Sequence, residues 1–355
     1  MLRRLSQRQV LENLSNEWET TLAREWLEAI RSITSAVVLK DLIAELERGN
    51  LEAATRMLDI SPERFARFEA GIVQAYHSGG VATVNGMPAL RDPSGNRVTF
   101  SWGVRNLPAE AVMRQHAVGL VDGIVDEQLA SVRNVMAEGL ARGQNPRQTA
   151  LDLVGKINRR TGFREGGLIG LTPSQAQTLD KIYAGLRAGA AQAMRDYLGY
   201  ALRDKRFDGH VRRALEQGGS VPADAVDRIV TAYSNRALKY RADNLALTET
   251  NIALTQAKND AFQQQIDAGK LEAGYVVKTW GRSISKENRA DHLAMVGQTV
   301  PFNQLFTLPD GTQCTGPHDP NLPAHHLVGC KCPPPDVTID FTAQALRRYQ
   351  ARVGE

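Results

Sequence analysis

The chain has 355 residues, of which 42% are hydrophobic and 23% are charged, and its formal net charge is +4. This composition excludes a wholly disordered or collagen-like protein and predicts two or three folding units that share contacts. The longest apolar runs fall far short of the roughly 20 residues that a membrane span needs, and the N-terminus has no continuous apolar segment for export. We therefore expect synthesis in the cytoplasm and no membrane role.

The N-terminal part of the chain has a helical pattern. Apolar residues recur every three or four positions from Val10 to Leu46, and Gly49-Asn50 ends this pattern. The sequence Ser61-Pro62-Glu63 predicts the start of a second helix, with the serine as its cap and the proline in its first turn. We expect this second helix to end at Ser78-Gly79-Gly80.

Two tryptophans, Trp18 and Trp26, lie on the apolar stripe of the first predicted helix. Aromatic side chains are enriched among the residues that dominate protein interfaces. Both are therefore candidates for docking to another protein. The alternative is that the stripe packs only against its own chain.

The residue composition changes after the second predicted helix. The stretches VATVNGMPAL and NRVTFSWGV are rich in β-branched and aromatic residues and flank the turn signal DPSGN, which predicts a β-hairpin. From Leu107 to about Gly269 the helical spacing returns, with breaks at 143–146, 161–172 and 218–222.

Positive charge concentrates in this middle part. Between Arg133 and Arg241 there are 19 Lys and Arg residues against 10 Asp and Glu residues. Such a surface suits phosphates or an acidic protein partner, although its charges could simply keep a helical surface soluble. The candidate contacts to DNA or to a protein partner are Arg203, Lys205, Arg206, Arg212 and Arg213.

The last part alternates like strands at GYVVKTWG, at Gln298 to Phe302 and at VTIDF, with a short helix predicted around Asn288 to Met295. The fold class is therefore α+β, mostly helical, with a hairpin insertion and a small C-terminal α+β domain. The predicted regions are 1–78 (N-terminal helices), 79–106 (hairpin), 107–270 (basic helical region), 271–341 (C-terminal α+β domain) and 342–355 (tail).

Common enzyme signatures are missing from the sequence. It contains no P-loop, no GxSxG and no HExxH pattern. The glycine-rich segment 164–175 follows no predicted strand, and we interpret it as a turn into a helix capped by Thr172, with Pro173 in the first position.

The chemistry-bearing residues cluster near the C-terminus, where all three cysteines and four of the seven histidines lie between His292 and Cys332. If residues 328–332 are extended, the thiols of Cys330 and Cys332 point to the same face. Together with Cys314 and His318, these thiols would provide four ligands for a structural zinc ion, and His292 is an alternative fourth ligand. The alternative is metal-free packing of the thiols, with histidines that hydrogen-bond loop backbone.

A second interpretation of the same segment is a metal-dependent nuclease or other hydrolase that uses His292, His325 and His326. A small nuclease of the ββα-metal type would need a further histidine or asparagine on a following helix. The prolines at 333–335 oppose such a helix.

An ordered set of short motifs resembles a known family. It consists of ALTETN (246–251) on a helix, Lys278-Thr279-Trp280, Arg289-Ala290-Asp291-His292, Gly297-Gln298, Pro317 to Pro320 and Cys330-Lys331-Cys332, preceded by Gly143-Gln144-Asn145-Pro146. The set resembles the Mu F-like head morphogenesis family, the minor head proteins of tailed bacteriophages. The likeness covers about residues 107–341.

The chain departs from the family pattern in two places. Where the family usually has Asn-Cys-Arg-Cys, this chain has Gly-Cys-Lys-Cys, residues 329–332. Many members carry a glutamate a few residues before the cysteines, and this chain has His325-His326.

The resemblance implies a minor capsid protein of a phage or prophage, present in several copies, that contacts the portal protein, other head proteins and double-stranded DNA. Its location would be the virion, at the portal vertex, after assembly in the host cytoplasm. Some relatives carry an added toxin or ADP-ribosyltransferase module, and the 14 residues after VTIDF are too few for one. We therefore expect a structural role and no enzyme activity, with zinc as the only cofactor.

Overall fold

The computed structural model describes residues 6–91, 97–102, 107–283, 285 and 288–340. The protein is 65% helical with a few small antiparallel sheets, which confirms the predicted mostly helical α+β class. Among the described helices, none combines the length and the apolar character needed to cross a bilayer.

The chain forms two compact units, each discontinuous in sequence. Unit 1 comprises Met1–Leu22, Glu69–Ala117 and Asn244–Glu355. Unit 2 comprises Ala23–Phe68 and Val118–Asp243. The borders between the units fall inside helices.

The helices of the described part are as follows: α1 Gln7–Ala36, α2 Leu39–Glu47, α3 Leu51–Met57, α4 Ala66–Gly86, α5 Leu107–Ala141, α6 Pro146–Val154, α7 Pro173–Ala188, α8 Ala191–Gly199, α9 Asp208–Gln217, α10 Ala223–Asp267, α11 Ala290–Ala294 and α12 Ala324–Leu327. Short 3-10 turns occupy Pro62–Phe65, Lys205–Phe207 and Ala273–Tyr275. The strands are β1 Leu90–Arg91, β2 Arg97–Val98, β3 Lys156–Ile157, β4 Arg164–Glu165, β5 Val276–Thr279, β6 Thr299–Pro301, β7 Phe306–Thr307, β8 Gln313–Cys314 and β9 Asp336–Ile339.

The predicted end of the second helix is wrong, because α4 continues through Gly79 and Gly80 to Gly86. A Cβ atom at Gly79 would lie 2.9 Å from the side chain of Leu254 and 3.0 Å from that of Ala257, both on α10. The two helices approach so closely that only glycine fits between them. Gly79 therefore marks a helix contact and Gly80 a contact with the Trp102 ring, although the pair is typical of a helix end in sequence.

The start of this helix also differs from the prediction. Ser61 has extended backbone angles, but its side chain makes no capping hydrogen bond, and a 3-10 turn at Pro62–Phe65 precedes α4. By contrast, Thr172 caps α7 as predicted: its hydroxyl accepts from the backbone N–H of Gln175, and the Gln175 side chain accepts from the backbone N–H of Thr172.

The predicted hairpin is present in a shorter form. Strands β1 and β2 pair antiparallel, with Leu90 opposite Val98 and Arg91 opposite Arg97. The predicted turn, DPSGN, lies outside the described residues. Most of the stretch VATVNGMPAL belongs instead to α4, because its residues continue the helix that Gly79 and Gly80 were expected to end.

Unit 2 has an apolar core built by α7, α8, α9 and the first part of α10. Its fully buried side chains include Leu186, Met194, Val211 and Val226. The predicted breaks at 143–146, 161–172 and 218–222 fall at the connections between helices, with Pro146 as the first residue of α6. The second break contains β4, which pairs with β3 just before it in a hairpin that the sequence pattern did not predict.

The C-terminal strands of unit 1 form a three-stranded antiparallel sheet in the order β6-β5-β9. Val277 of β5 lies opposite Pro301 on one side and Thr338 on the other. The three predicted strands and the short helix α11 are thus confirmed. Between β6 and β9 the chain adds the β7–β8 hairpin and α12, which carry Cys314, His325 and His326.

Candidate metal centre

His292, Cys330 and Cys332 form a possible metal-binding cluster in unit 1. The Nδ1 atom of His292 lies 3.4 Å from the sulfur of Cys330 and 3.5 Å from that of Cys332. All three side chains are buried, and their ligand atoms lie within 4.8 Å of one another. The predicted alternative ligand, His292, is therefore the histidine that the fold places against the two thiols.

The two cysteines are positioned by the segment that follows α12. Gly329 has a φ of +68°, a left-handed conformation that L side chains rarely adopt. Its N–H donates to the hydroxyl of Thr248 on α10, at 3.1 Å. Two further bonds hold this segment: Arg289 donates to the carbonyl of Val328, and Ser283 donates to the carbonyl of Lys331.

The histidine is positioned by α11 and by an aromatic side chain at the end of β5. Trp280 is buried, and its ring meets the His292 ring edge-on with centroids 5.4 Å apart. The backbone N–H of Trp280 donates to the carbonyl of Gln298, and its carbonyl accepts from Gly297. These bonds close the loop that carries α11, so the ring of His292 has a fixed place beside the thiols.

The two thiols affect each other's protonation. The neighbouring Cys332 side chain lowers the pKa of Cys330, and the contact with His292 acts in the same direction. The pKa of Cys332 is raised, first by its bond to Cys330 and then by burial. One thiolate thus forms readily, and a second negative charge beside it needs a cation.

The spacing of these atoms fits a tetrahedral zinc ion. Zinc binds sulfur at about 2.3 Å and imidazole nitrogen at about 2.1 Å, so neighbouring S and N ligands are about 3.6 Å apart. The observed separations of 3.4 and 3.5 Å are close to this value. Two thiolates and an imidazole are also the donor set that zinc prefers over magnesium or calcium.

The structure does not bring Cys314 into this group. Cys314 lies on β8 in an apolar cluster with Trp280, Met295 and Phe306. Burial raises the pKa of its thiol to about 11, so it is a neutral apolar group at physiological pH. Its predicted role as a ligand needs correction, because β8 places its side chain among core residues.

His318 lies next to the cluster without being part of it. Its Nε2 is 2.6 Å from the carbonyl oxygen of Cys332, and its buried Nδ1 has no hydrogen-bond partner in the described part of the chain. Its φ is +64°, in the left-handed region. Burial lowers the pKa of His318, which keeps the ring neutral.

Of the two neighbouring histidines, His326 lies in the interior and His325 lies on the surface. His326 is buried and stacks on His292, with ring centroids 5.4 Å apart, and its Nε2 lies 2.8 Å from Oδ2 of Asp310. The His325 side chain is 67% exposed. Within the described residues up to Asp340, no helix follows α12, so the second half of a ββα-metal nuclease motif is absent from this part of the chain.

The predicted basic contacts fall into two groups. Arg203 forms an ion pair with Asp208, and Arg206 forms one with the buried Asp204. These two arginines therefore bond acids of their own chain. Exposed residues for which the described part of the chain shows no ion pair are Lys205, Arg212 and Arg213.

Of the two predicted docking tryptophans, Trp26 is excluded as a surface residue. Its side chain is 0% exposed, and the guanidinium of Arg241 lies 5.6 Å from its ring centroid. The apolar stripe at Leu22, Trp26, Ile30 and Ile33 packs against its own chain, as the alternative proposed. Trp18 is half-buried and keeps part of its surface accessible.

Two residues of interest carry no motif that the sequence analysis could find. Asp310 lies in a Pro-Asp-Gly-Thr turn, which predicts only a loop. Lys258 is 3% exposed on α10, although lysine is almost never buried without a partner. For Lys258, the only indication of burial in the sequence is its position on the apolar face of a helix.

Comparisons with known proteins add no further assignment: no protein-family model, no curated protein and no solved structure matches this chain.

Proposed function

We propose that this chain is a minor head protein of a tailed phage or prophage, related to the Mu F-like family, that acts in head morphogenesis. In this proposal it joins the particle in several copies at the portal vertex, contacts the portal protein and other head proteins, and lies close to packaged DNA. It assembles in the host cytoplasm and has no catalytic role.

The observation that carries the proposal is that the motifs of the resemblance from residue 246 onward contact one another in unit 1. Thr248 of the ALTETN motif accepts from Gly329 beside the cysteines. Trp280 bonds Gly297 and Gln298 through its backbone and meets His292 through its ring. These motifs are therefore neighbours in space as well as in order along the chain, whereas Gly143 to Pro146 lies in unit 2.

The departure at position 329 is consistent with the same backbone. Gly329 has a φ of +68°, and asparagine is among the few residues other than glycine that tolerate this conformation. The family's usual asparagine and this chain's glycine would both permit the turn that aims the two thiols at one histidine. The substitution thus preserves the geometry that the resemblance requires.

Within this proposal, the metal is zinc and its role is structural. Burial of His292, Cys330 and Cys332 leaves little room for substrate, which is typical of a closed site. A closed site has four ligands, and in this proposal His318, which lies next to the cluster, adds the fourth. Its Nδ1 is buried without a partner in the described part of the chain, and its ring already contacts the backbone of Cys332.

The assembly role is tested with the full-length chain and the portal protein encoded in the same genome. The two proteins are co-expressed, and complexes are isolated through a tag on the portal, with the portal of an unrelated phage as control. We expect co-purification with the cognate portal only, and peptides of this chain in purified particles. Failure of both results, or a gene far from any packaging operon, overturns the proposal.

The nuclease alternative is favoured by one observation, the accessible imidazole of His325 beside a carboxylate. It predicts Mg²⁺-dependent cleavage of plasmid DNA by the purified chain, lost when His325 and His326 are both changed to alanine. Cleavage with this dependence would replace the structural proposal. Bound zinc in the absence of cleavage would support it.

A further inference from the structure

We infer that Asp310, His325 and His326 form a second, solvent-exposed binding site for a divalent transition-metal cation. The Oδ2 atom of Asp310 lies 2.8 Å from Nε2 of His326 and 3.8 Å from Nε2 of His325. All three ligand atoms are within 4.8 Å of one another. The inference goes beyond the assembly role and does not depend on it.

The carboxylate is held in place by its own turn. Asp310 lies between β7 and β8, and its Oδ1 accepts from the backbone N–H of Thr312 at 2.9 Å. Gly311, with a φ of +87°, supplies the left-handed residue that this tight turn needs. Oδ2 is therefore free to face the histidines while Oδ1 maintains the turn.

One of the two imidazoles is equally well positioned. The ring of His326 is buried and stacks on His292 with an interplanar angle of 18°. This packing holds the ring so that its Nε2 faces Asp310. His325 is the mobile partner, because its side chain is mostly exposed and can adjust to a cation.

The separations suit a metal with nitrogen and oxygen ligands. At metal–ligand distances of about 2.0 to 2.2 Å, neighbouring ligand atoms of a tetrahedral ion are about 3.4 Å apart. The two measured separations, 2.8 and 3.8 Å, lie on either side of this value. Rotation of the exposed His325 side chain can shorten the longer separation, between His325 and Asp310.

The donor set predicts which ions bind. Two imidazoles and one carboxylate suit Zn²⁺, Co²⁺ or Ni²⁺ better than Mg²⁺ or Ca²⁺, which prefer oxygen. A cation at Nε2 of His326 takes the place of the proton shared with Asp310, and in the neutral ring the remaining proton is then on Nδ1. Because His325 and Asp310 are exposed, water completes the coordination, unlike at the buried cysteine cluster.

The two sites can be told apart with Co²⁺. Cobalt bound to thiolates shows sulfur-to-metal charge-transfer absorption, whereas cobalt bound to imidazole and carboxylate shows only weak d–d bands. The full-length, metal-free chain is titrated with CoCl₂ while absorption and bound cobalt are recorded. We expect one equivalent of bound cobalt that shows no charge-transfer absorption. Any cobalt bound at the cysteine cluster would show this absorption and would be additional.

Two variants test the assignment of that equivalent. Asp310→Asn retains an oxygen for the Thr312 bond but removes the carboxylate, and His325→Ala changes a largely exposed side chain, so neither is expected to unfold the chain. Each should raise the Kd for this equivalent at least about 10-fold, since each removes one ligand. His210→Ala, which changes a histidine outside both clusters, is the matched control.

The outcomes are clear-cut. Loss of the equivalent in Asp310→Asn and His325→Ala, with retention in His210→Ala, supports the site. Absence of the equivalent from the unmodified chain overturns the inference. Equal binding by all three variants also overturns it, since the cobalt would then lie elsewhere.

Discussion

The two units bury charged and polar side chains in different ways. In unit 2 the buried Arg241 donates to Glu127 at 2.8 Å, and the buried Asp204 accepts from Arg206. In unit 1 the side chain of the buried Lys258 makes no hydrogen bond or ion pair to another described residue, and His292, His318 and His326 each have a buried ring nitrogen without a partner among these residues. Among the described residues unit 2 also has buried polar atoms without a partner, in Glu25, Trp26 and Tyr197, but the unpartnered imidazole nitrogens are in unit 1. Of these nitrogens, Nδ1 of His318 is the one that the proposed zinc could use, because His292 and His326 would bind metal through their other ring nitrogen.

The largest expected effect is the loss of stability of unit 1, but not of unit 2, when metal is removed. Removing zinc by chelation should destabilise unit 1 by about 4 kcal/mol relative to a solution with zinc at roughly 1,000 times its Kd. Hydrogen exchange measured by mass spectrometry should accelerate in peptides containing β5 and β9, while peptides from α7 to α9 stay protected. Equal acceleration in both units would contradict a metal site confined to unit 1.

Variants of the cysteines sharpen this test. Cys330→Ala should abolish stoichiometric zinc because it removes a ligand beside His292. Cys314→Ala is the matched control, because that thiol packs in the apolar cluster with Phe306. Its removal should reduce core packing but leave the bound zinc unchanged. Zinc loss in the Cys314 variant would restore the ligand set predicted from the sequence.

The next largest effect on the free energy of unfolding is expected from substitution of a buried lysine. Lys258 borders a groove of about 520 Å³, and burial lowers its pKa from 10.5 to about 8. This lowering corresponds to a cost of about 3 kcal/mol. Lys258→Met should remove much of that cost and raise the free energy of unfolding by about 1 to 3 kcal/mol.

The increase in the free energy of unfolding caused by Lys258→Met should become smaller as the pH rises. Below about pH 8, Lys258 is protonated in both the folded and unfolded states, so the cost is fully present. Between about pH 8 and 10.5 the unfolded state binds more protons, so the stability of the unmodified chain rises and the gain shrinks. Urea denaturation at pH 7 and pH 10 measures this, with the exposed Lys40→Met as control. An equal gain at both pH values would contradict it.

Substitution of a satisfied acid in unit 2 should have the opposite effect on stability. The hydrogen bond from Arg206 lowers the pKa of Asp204 to about 2, and its carboxylate also caps the turn at Lys205–Phe207. Asp204→Asn should cost about 1 kcal/mol at pH 7. The stabilisation is present above about pH 4 and is lost as the pH falls toward 2, since the carboxylate is then protonated. Asp224→Asn, at an exposed ion pair, should change stability by less than about 0.5 kcal/mol.

The smallest effect on stability is expected at the exposed basic residues. Changing Lys205, Arg212 and Arg213 to glutamate should alter the free energy of unfolding by less than about 0.5 kcal/mol each. It should nevertheless weaken DNA binding and reduce its salt dependence. Reversal of Lys40, Arg56 and Arg67, exposed in the same unit, is the control. Unchanged DNA binding at low salt would remove these residues from the proposed contact.

Much of the secondary structure follows from local patterns. The strands at Val276–Thr279 and Asp336–Ile339 and the cap at Thr172 depend on residues close in sequence, and they lie where the sequence places them. The failure at Gly79 has a non-local cause, because a glycine at this position is required by the approach of α10, about 175 residues away in sequence. No local pattern carries that information.

The sequence by itself determined the α+β class, the helical and strand periods and the crowding of thiols and imidazoles near the C-terminus. Only the tertiary structure decided that His292 meets Cys330 and Cys332, that Cys314 belongs to the core, and that Trp26 is buried. The physical reason is distance along the chain. Periodicity and turn chemistry act over a few residues, whereas His292 lies 38 residues from Cys330 and reaches it only through the packing of α11, Trp280 and the segment held by Thr248.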